Sequence, residues 1–218
     1  MKAEDLLAVT IQDFADEPAR GVLICISGPS GVGKGTIIER LRAEWPELKS
    51  SVSVTTRKPR PSEKDGTQYY FRSVDEFKRM LAADEILEHD CYTGNYYGTP
   101  RKGIEEILSR GDDCVLDITV PGTLAIKEKF SEALSIFLLP PSLSELKKRL
   151  RGRGTEDEKS MASRLEQAVK EIQMAPQFDY VVLNRDIEKS LAEIRHIILA
   201  EKLRSKRRPG IEEKVLKR

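Results

Sequence analysis

The sequence predicts an α/β fold in which a P-loop parallel sheet core carries helices on both faces, with a small β lobe inserted into it and a helical lid. Three observations lead there. Four near-continuous apolar runs, at 22–26, 114–118, 135–139 and 180–183, are separated by stretches of helical periodicity. The first of them runs through Gly28-Pro29-Ser30-Gly31-Val32-Gly33-Lys34-Gly35-Thr36 into the amphipathic Ile37-Ile38-Glu39-Arg40-Leu41. Two segments break the rhythm: 51–99 is polar and tyrosine-rich, and 142–174 is helical and highly charged.

Taken in order, residues 1–19 have weak helical character, end at Pro18, and read as an N-terminal extension to a domain spanning 20–218. Their acidic residues, Glu4, Asp5, Asp13, Asp16 and Glu17, do not suit a transit peptide. The strand, glycine-rich turn and helix that follow form a phosphate cradle: glycines let consecutive backbone N–H groups turn inward, and the helix adds its positive end. Lys34 supplies a cation for the β- and γ-phosphates of a nucleoside triphosphate. The hydroxyl that commonly follows this lysine and holds Mg²⁺ is displaced by one place, from Gly35 to Thr36, so Thr36 is expected to face the α-phosphate. An ordinary tight turn is the plain alternative, and the strand before with the helix after weighs against it.

The insert from 51 to 99 alternates around Val52, Val54, Tyr69 and Phe71 and carries one helical pattern from Val74 to Leu81. Within it, Arg57 and Arg60 stand three apart around Pro59, a spacing at which two guanidinium forks can hold a phosphate. Alone they would read as a solvated charged loop. Their company of Tyr69, Glu88, Tyr97 and Thr99 suits a second phosphate and a base instead.

Asp117 ends an apolar strand, where a carboxylate can reach Mg²⁺ directly or through water; a strand-end cap is the alternative. In an open parallel sheet the loop after Ser27, residues 117–122 and the loop after Leu183 should share one crevice. The segment from 142 to 174 is interrupted at Gly152-Arg153-Gly154 and reads as the lid.

At 218 residues with 39% hydrophobic content, the chain suits one domain with insertions. Charged residues make up 33% but the net charge is +1, which excludes a global attraction to nucleic acid or an anionic membrane. Cys25, Cys91 and Cys114 lack metal or dithiol spacing and read as core filler in a reducing compartment. No apolar run reaches membrane length, so a soluble cytoplasmic protein is expected. The basic run from Arg204 to Arg208 is followed by Glu212-Glu213 and reads as solvated surface.

From about Val22 to Leu203 the stretches GPSGVGKGT, SVTTRKPRPSEKDGTQYYF, DEFKRML, GNYYGTP, IFLLPPS and LKKRLRGRGTEDE resemble the guanylate kinases in order and spacing. That resemblance implies Mg²⁺-dependent transfer of the γ-phosphoryl group of ATP to GMP, and also to dGMP; the sequence itself is compatible with either a monomer or a homodimer. It implies that Ser53, Arg57, Arg60, Tyr69 and Tyr97 hold the GMP phosphate and that Glu88 and Thr99 read guanine. A carboxylate suits the two adjacent donors of guanine, whereas adenine would leave it unpaired at a cost of roughly 1–3 kcal/mol. Arg149, Arg153 and Arg164 would neutralise the transferring group, with Lys34, and Asn184 would contact the base of ATP. Asp117 would meet the metal, mainly through water. One departure concerns the guanine side: Thr119 stands where an acidic residue is usual, and Pro121 follows. Two other functions share these features: a kinase for another monophosphate, and a non-catalytic module that binds phosphopeptides.

Overall fold

The computed structural model describes residues 20–92, 94–151 and 158–216. Its core is a five-stranded parallel sheet of order β2-β7-β1-β8-β9, built from β1 (Leu23–Ser27), β2 (Lys49–Ser50), β7 (Cys114–Asp117), β8 (Leu134–Leu139) and β9 (Tyr180–Leu183). The central strands bury both faces because they are almost wholly apolar, and the buried hydroxyls of Ser27 and Ser135 are hydrogen-bonded. Ile24 and Ile26 pack on one side with Ile37 and Leu41 of α1 (Lys34–Glu44) and with Leu191, Ile194 and Ile198 of α7 (Ile187–Lys202). Leu23 and Cys25 face the other side, against Ile104 and Leu108 of α3 (Arg101–Ser109) and Ile126 of α4 (Val120–Lys129). Each fully buried Leu or Ile contributes about 1.5–3 kcal/mol relative to exposure, so two opposed helical layers stabilise the sheet strongly.

The chain places β2 and β7 on one side of β1 and β8 and β9 on the other. Winding therefore reverses beside β1, where the carboxyl ends of the strands open a crevice.

The insert forms a second sheet of order β4-β3-β6-β5, comprising β3 (Val54–Thr55), β4 (Tyr70–Phe71), β5 (Ile86–Tyr92) and β6 (Asn95–Pro100). Its predicted helix is α2 (Val74–Ala82), one residue longer than the sequence pattern, started by a capping box between Ser73 and Glu76. Phe77 of α2 stacks on Tyr96 at 5.3 Å and covers one face of this sheet. The predicted lid segment contains α5 (Leu143–Arg151) and α6 (Glu158–Gln173), joined by a cluster of Leu146, Leu150, Met161 and Ala168. A short α8 (Ile211–Leu216) follows α7. Among the described residues no helix is long and apolar enough to cross a membrane.

Two expectations need correction. Cys25 and Cys114 are buried, and burial pushes the Cys114 thiol up to about 12, but Cys91, near the end of β5, is exposed. The basic run is not all solvated surface: the Arg207 side chain is 7% exposed and its Nε lies 3.0 Å from Oε1 of Glu201, itself 3% exposed. The C-terminal end of α7 is tied to the start of β7. Lys202 Nζ lies 2.6 Å from Oδ2 of the buried Asp113, whose Oδ1 accepts the Val22 N–H at 2.9 Å. Asp113→Ala would leave a buried N–H and an ammonium without their acceptor, and is expected to lower stability by about 2–3 kcal/mol in urea unfolding.

Candidate active site

The loop between β1 and α1 turns through three glycines with positive φ: Gly28 at 145°, Gly31 at 84° and Gly33 at 107°. All three are demanded by close approach as well as by conformation, a Cβ on Gly31 standing 2.8 Å from Leu150 Cδ2. A Cβ on Gly28 would stand 2.4 Å from the Leu138 carbonyl oxygen, and one on Gly33 would stand 2.9 Å from Asn184 Nδ2. Gly33 is the N-cap of α1, no side chain caps that end, and its first turn contains no acidic residue. The exposed N–H groups and the helix dipole therefore make an anion site. Lys34 Nζ donates to Gly28 O at 2.6 Å and sits within the loop it would share with phosphates. Pro29 is buried, Ser30 and Thr36 are exposed, and the backbone of Val32 closes a turn by donating to Pro29 O at 3.1 Å.

Asp117 pairs in register with Ile26 at the end of β7. A Cβ on Gly35 would stand 4.0 Å from its Oδ2, so the carboxylate lies beside the first turn of α1. It opens onto the crevice, yet the surrounding protein excludes enough water to raise its pKa, with Lys34 opposing that shift. Among the described residues no group of three His, Cys, Asp or Glu side chains converges as a metal cage. A lone carboxylate fits Mg²⁺ that takes its other ligands from phosphates and water.

On the small sheet, Glu88 faces Thr99 across β5 and β6, and Thr99 Oγ1 donates to Glu88 Oε1 at 2.5 Å. Tyr97 lies two residues before Thr99 and so on the same face, opposite to Phe77. Tyr69 meets Tyr97 edge-on at 5.9 Å, and the Arg57 guanidinium lies over the Tyr69 ring at 5.4 Å. Ser53 is half-buried beside them, its carbonyl accepting from Tyr70 N at 2.8 Å, and Arg60 is exposed at the mouth. Of the seven residues of the predicted second site, Ser53 thus immediately precedes β3, Arg57, Arg60 and Tyr69 lie in the loop that joins β3 to β4, Glu88 lies on β5, and Tyr97 and Thr99 lie on β6.

Burial raises the Glu88 pKa and the Asp90 carboxylate adds to the rise, while the Thr99 bond opposes it. The carboxylate reaches across to the main core: a Cβ on Gly122 would stand 2.8 Å from Glu88 Oε2. Gly122 lies in the first turn of α4, whose N-cap is Thr119, with Thr119 Oγ1 accepting from Gly122 N at 3.2 Å. Residues 117–122 therefore bridge the two halves of the crevice, from the P-loop at Asp117 to Glu88 at Gly122.

Asn184 is buried at 4% exposure, donates Nδ2 to Val32 O at 2.9 Å and accepts from Ser190 Oγ at 3.1 Å, so its amide braces the phosphate loop. Arg149 joins that brace, with Nη1 3.2 Å from Val32 O and Nε 3.2 Å from Glu145 Oε1. Arg164 is half-buried on α6, and Arg153 lies outside the described residues. Sequence reasoning missed two contributors. Glu63 holds Arg57 through two 2.9 Å bonds, and Gly122 admits Glu88; only the first had a signal, a carboxylate three residues after Arg60.

A family model described as guanylate kinase matches residues 20–201. The chain is 45% identical over 195 residues to a guanylate kinase of Desulfitobacterium hafniense (strain Y51), covering 89% of this chain and 98% of the relative. It is 48% identical over 188 residues to one of Synechococcus sp. (strain JA-3-3Ab), covering 86% and 87%. The solved guanylate kinase of Anaplasma phagocytophilum superposes with a TM-score of 0.71 at 35% identity, over 90% of this chain and 94% of that one. A P-loop, a facing carboxylate pocket and this likeness over nearly the whole fold agree, and the chain belongs to the guanylate kinase family, the enzymes that transfer a phosphoryl group from ATP to GMP.

Proposed function

We propose that this ATP:GMP phosphotransferase binds ATP at residues 28–36 and GMP on the small sheet, with residues 117–122 joining the two subsites. The bridging segment carries the reading: Asp117 lies against the first turn of α1, and Gly122 lies against Glu88. Ser53, Arg57, Arg60, Tyr69 and Tyr97 take the GMP phosphate. Glu88 accepts from guanine N1–H and the 2-amino group, and Thr99, whose hydroxyl already donates to Glu88, orients that carboxylate. Asp117 would hold Mg²⁺, through water, and the ion when bound would supply charge neutralisation for the phosphoryl transfer. Lys34, Arg149, Arg153 and Arg164 balance the charge of the transferring group. The attacking phosphate oxygen is already anionic, so alignment, charge neutralisation and exclusion of water carry the rate.

In this reading the kinase domain occupies 20–218 behind an extension of 19 residues, with the GMP lobe at 51–99, the lid at 142–174 and the core in the remainder. Closure of lobe and lid excludes water until the acceptor is present. The enzyme works in the cytoplasm, as monomer or homodimer, on small-molecule partners and without nucleic acid or membrane.

An ADP-release assay with MgATP and each of GMP, dGMP, AMP, CMP and UMP tests this. Turnover is expected with GMP and dGMP alone, with little ATP hydrolysis when no acceptor is added. Equal turnover of AMP, or rapid ATP hydrolysis alone, would count against it. Thr119→Asp adds an acceptor near the guanine amino group but gives up none of the N-cap, since Asp caps as well as Thr. It is expected to lower the GMP KM by about 10-fold or more, as one added hydrogen bond to a charged group would.

A further inference from the structure

We infer that Glu63 is a positioning residue for the monophosphate: it fixes the plane of Arg57 and the backbone of Arg60, so that both arginines stand ready for the phosphate before it arrives. The inference rests on the placement of GMP proposed above. Glu63 accepts from Arg57 Nη1 and Nη2 at 2.9 Å each and from the backbone N–H of Arg60 at 2.7 Å. Its own N–H donates to Arg60 O at 3.0 Å, which closes the turn between them. Nη1 also donates to Lys58 O at 2.8 Å. Both Nη1 hydrogens and one of the Nη2 pair are thereby used, while the Nε edge of the guanidinium lies outside the Glu63 pair. A carboxylate and a phosphate can occupy these two edges together.

The plane is held from its faces too, with the Tyr69 ring at 5.4 Å and the Phe71 ring at 5.6 Å. Arg57 and Glu63 side chains are 20% and 12% exposed, so the pair is partly sheltered from solvent. Arginine has many rotamers, and a fork held by a carboxylate and two rings has lost that freedom before binding. Glu63 does bring a negative charge near a dianion. That repulsion acts across an intervening guanidinium, whereas the orienting bonds are direct.

The test compares equilibrium binding of GMP and of guanosine, which lacks the phosphate, to wild type, Glu63→Ala and Glu63→Gln by calorimetry, alongside the KM values for GMP and ATP. Glu63→Ala is expected to weaken GMP by roughly 10-fold or more, the loss of hydrogen bonding between charged groups, while guanosine affinity and ATP KM stay put. Glu63→Gln keeps length and one acceptor, and is expected to fall between. It also serves if the alanine variant does not fold. Tighter GMP binding in either variant would show that Glu63 competes with the phosphate and would overturn the inference. So would parallel loss of GMP and guanosine, which would mean general damage to the pocket. Wild-type turnover of GMP is read first, so failure of the proposed function is seen separately from failure of the Glu63 arm.

Discussion

Glu88→Gln is expected to raise the GMP KM by about 100-fold and, in the same protein, to raise the melting temperature of the unliganded enzyme at neutral pH. Both effects follow from one burial. The Glu88 pKa is raised, chiefly by desolvation, with Asp90 adding to it. A carboxyl whose folded pKa lies above its unfolded value near 4.5 contributes stability that is fully present below that value and lost as pH rises through the folded pKa. At pH 7 the ionised group therefore weakens the fold, and a neutral amide of the same shape relieves it. Thr99 can still donate to the amide oxygen. Guanine, however, presents two adjacent donors, and glutamine meets one of them with an NH₂ group, leaving two donors face to face. A pH series gives the complementary sign: the wild-type GMP KM should climb on acidification at a pH above 4.5, and the Glu88→Gln profile should lack that climb. Thermal melts with GMP kinetics on both proteins decide it; an unchanged GMP KM in the variant would remove Glu88 from guanine recognition.

Lys34→Met is expected to lower kcat by about 10²- to 10³-fold at saturating ATP and GMP, the usual loss when a preorganised donor to a developing charge is removed. The Lys34 ammonium lies 2.6 Å from Gly28 O inside the loop, so methionine keeps most of the packed stem while deleting the charge. Lys34→Arg should not restore the rate, because a planar fork does not fit a place set by carbonyls close to one point charge. A coupled assay, with circular dichroism to confirm the fold, checks both variants. A kcat within about fivefold of wild type for Lys34→Met would argue that the phosphate loop works through its backbone N–H groups and helix end alone.

Where the chain is near-continuously apolar, local pattern and tertiary structure coincide. The strands at Leu23–Ser27, Cys114–Asp117, Leu134–Leu139 and Tyr180–Leu183 lie within one residue of the runs seen in the sequence, because the strands of a parallel sheet covered by helices are predominantly apolar. The longest strands of the small sheet, Ile86–Tyr92 and Asn95–Pro100, were not legible in that way. One face packs on Phe77 and the other carries Glu88, Tyr97 and Thr99, so polar residues interrupt the apolar pattern where the site requires them. Arg207, in a basic run, is buried by an acidic partner 6 residues before it in the chain.

The sequence by itself determined the α/β class, the phosphate loop and its lysine, and the membership of Arg57, Tyr69, Glu88, Tyr97 and Thr99 in one lobe. These rest on short-range rules: periodicity within an element, and turns that glycine alone adopts freely. Only the tertiary structure decided that Asn184 braces Val32 O, that Glu63 grips Arg57 on one edge, and that Gly122 lets Glu88 approach α4. Asn184 and Gly122 act through contacts between residues 152 and 34 positions apart, where no local pattern carries information. Glu63 is near Arg57 in sequence, but which edge of a guanidinium a carboxylate takes depends on the rings and backbone packed around it.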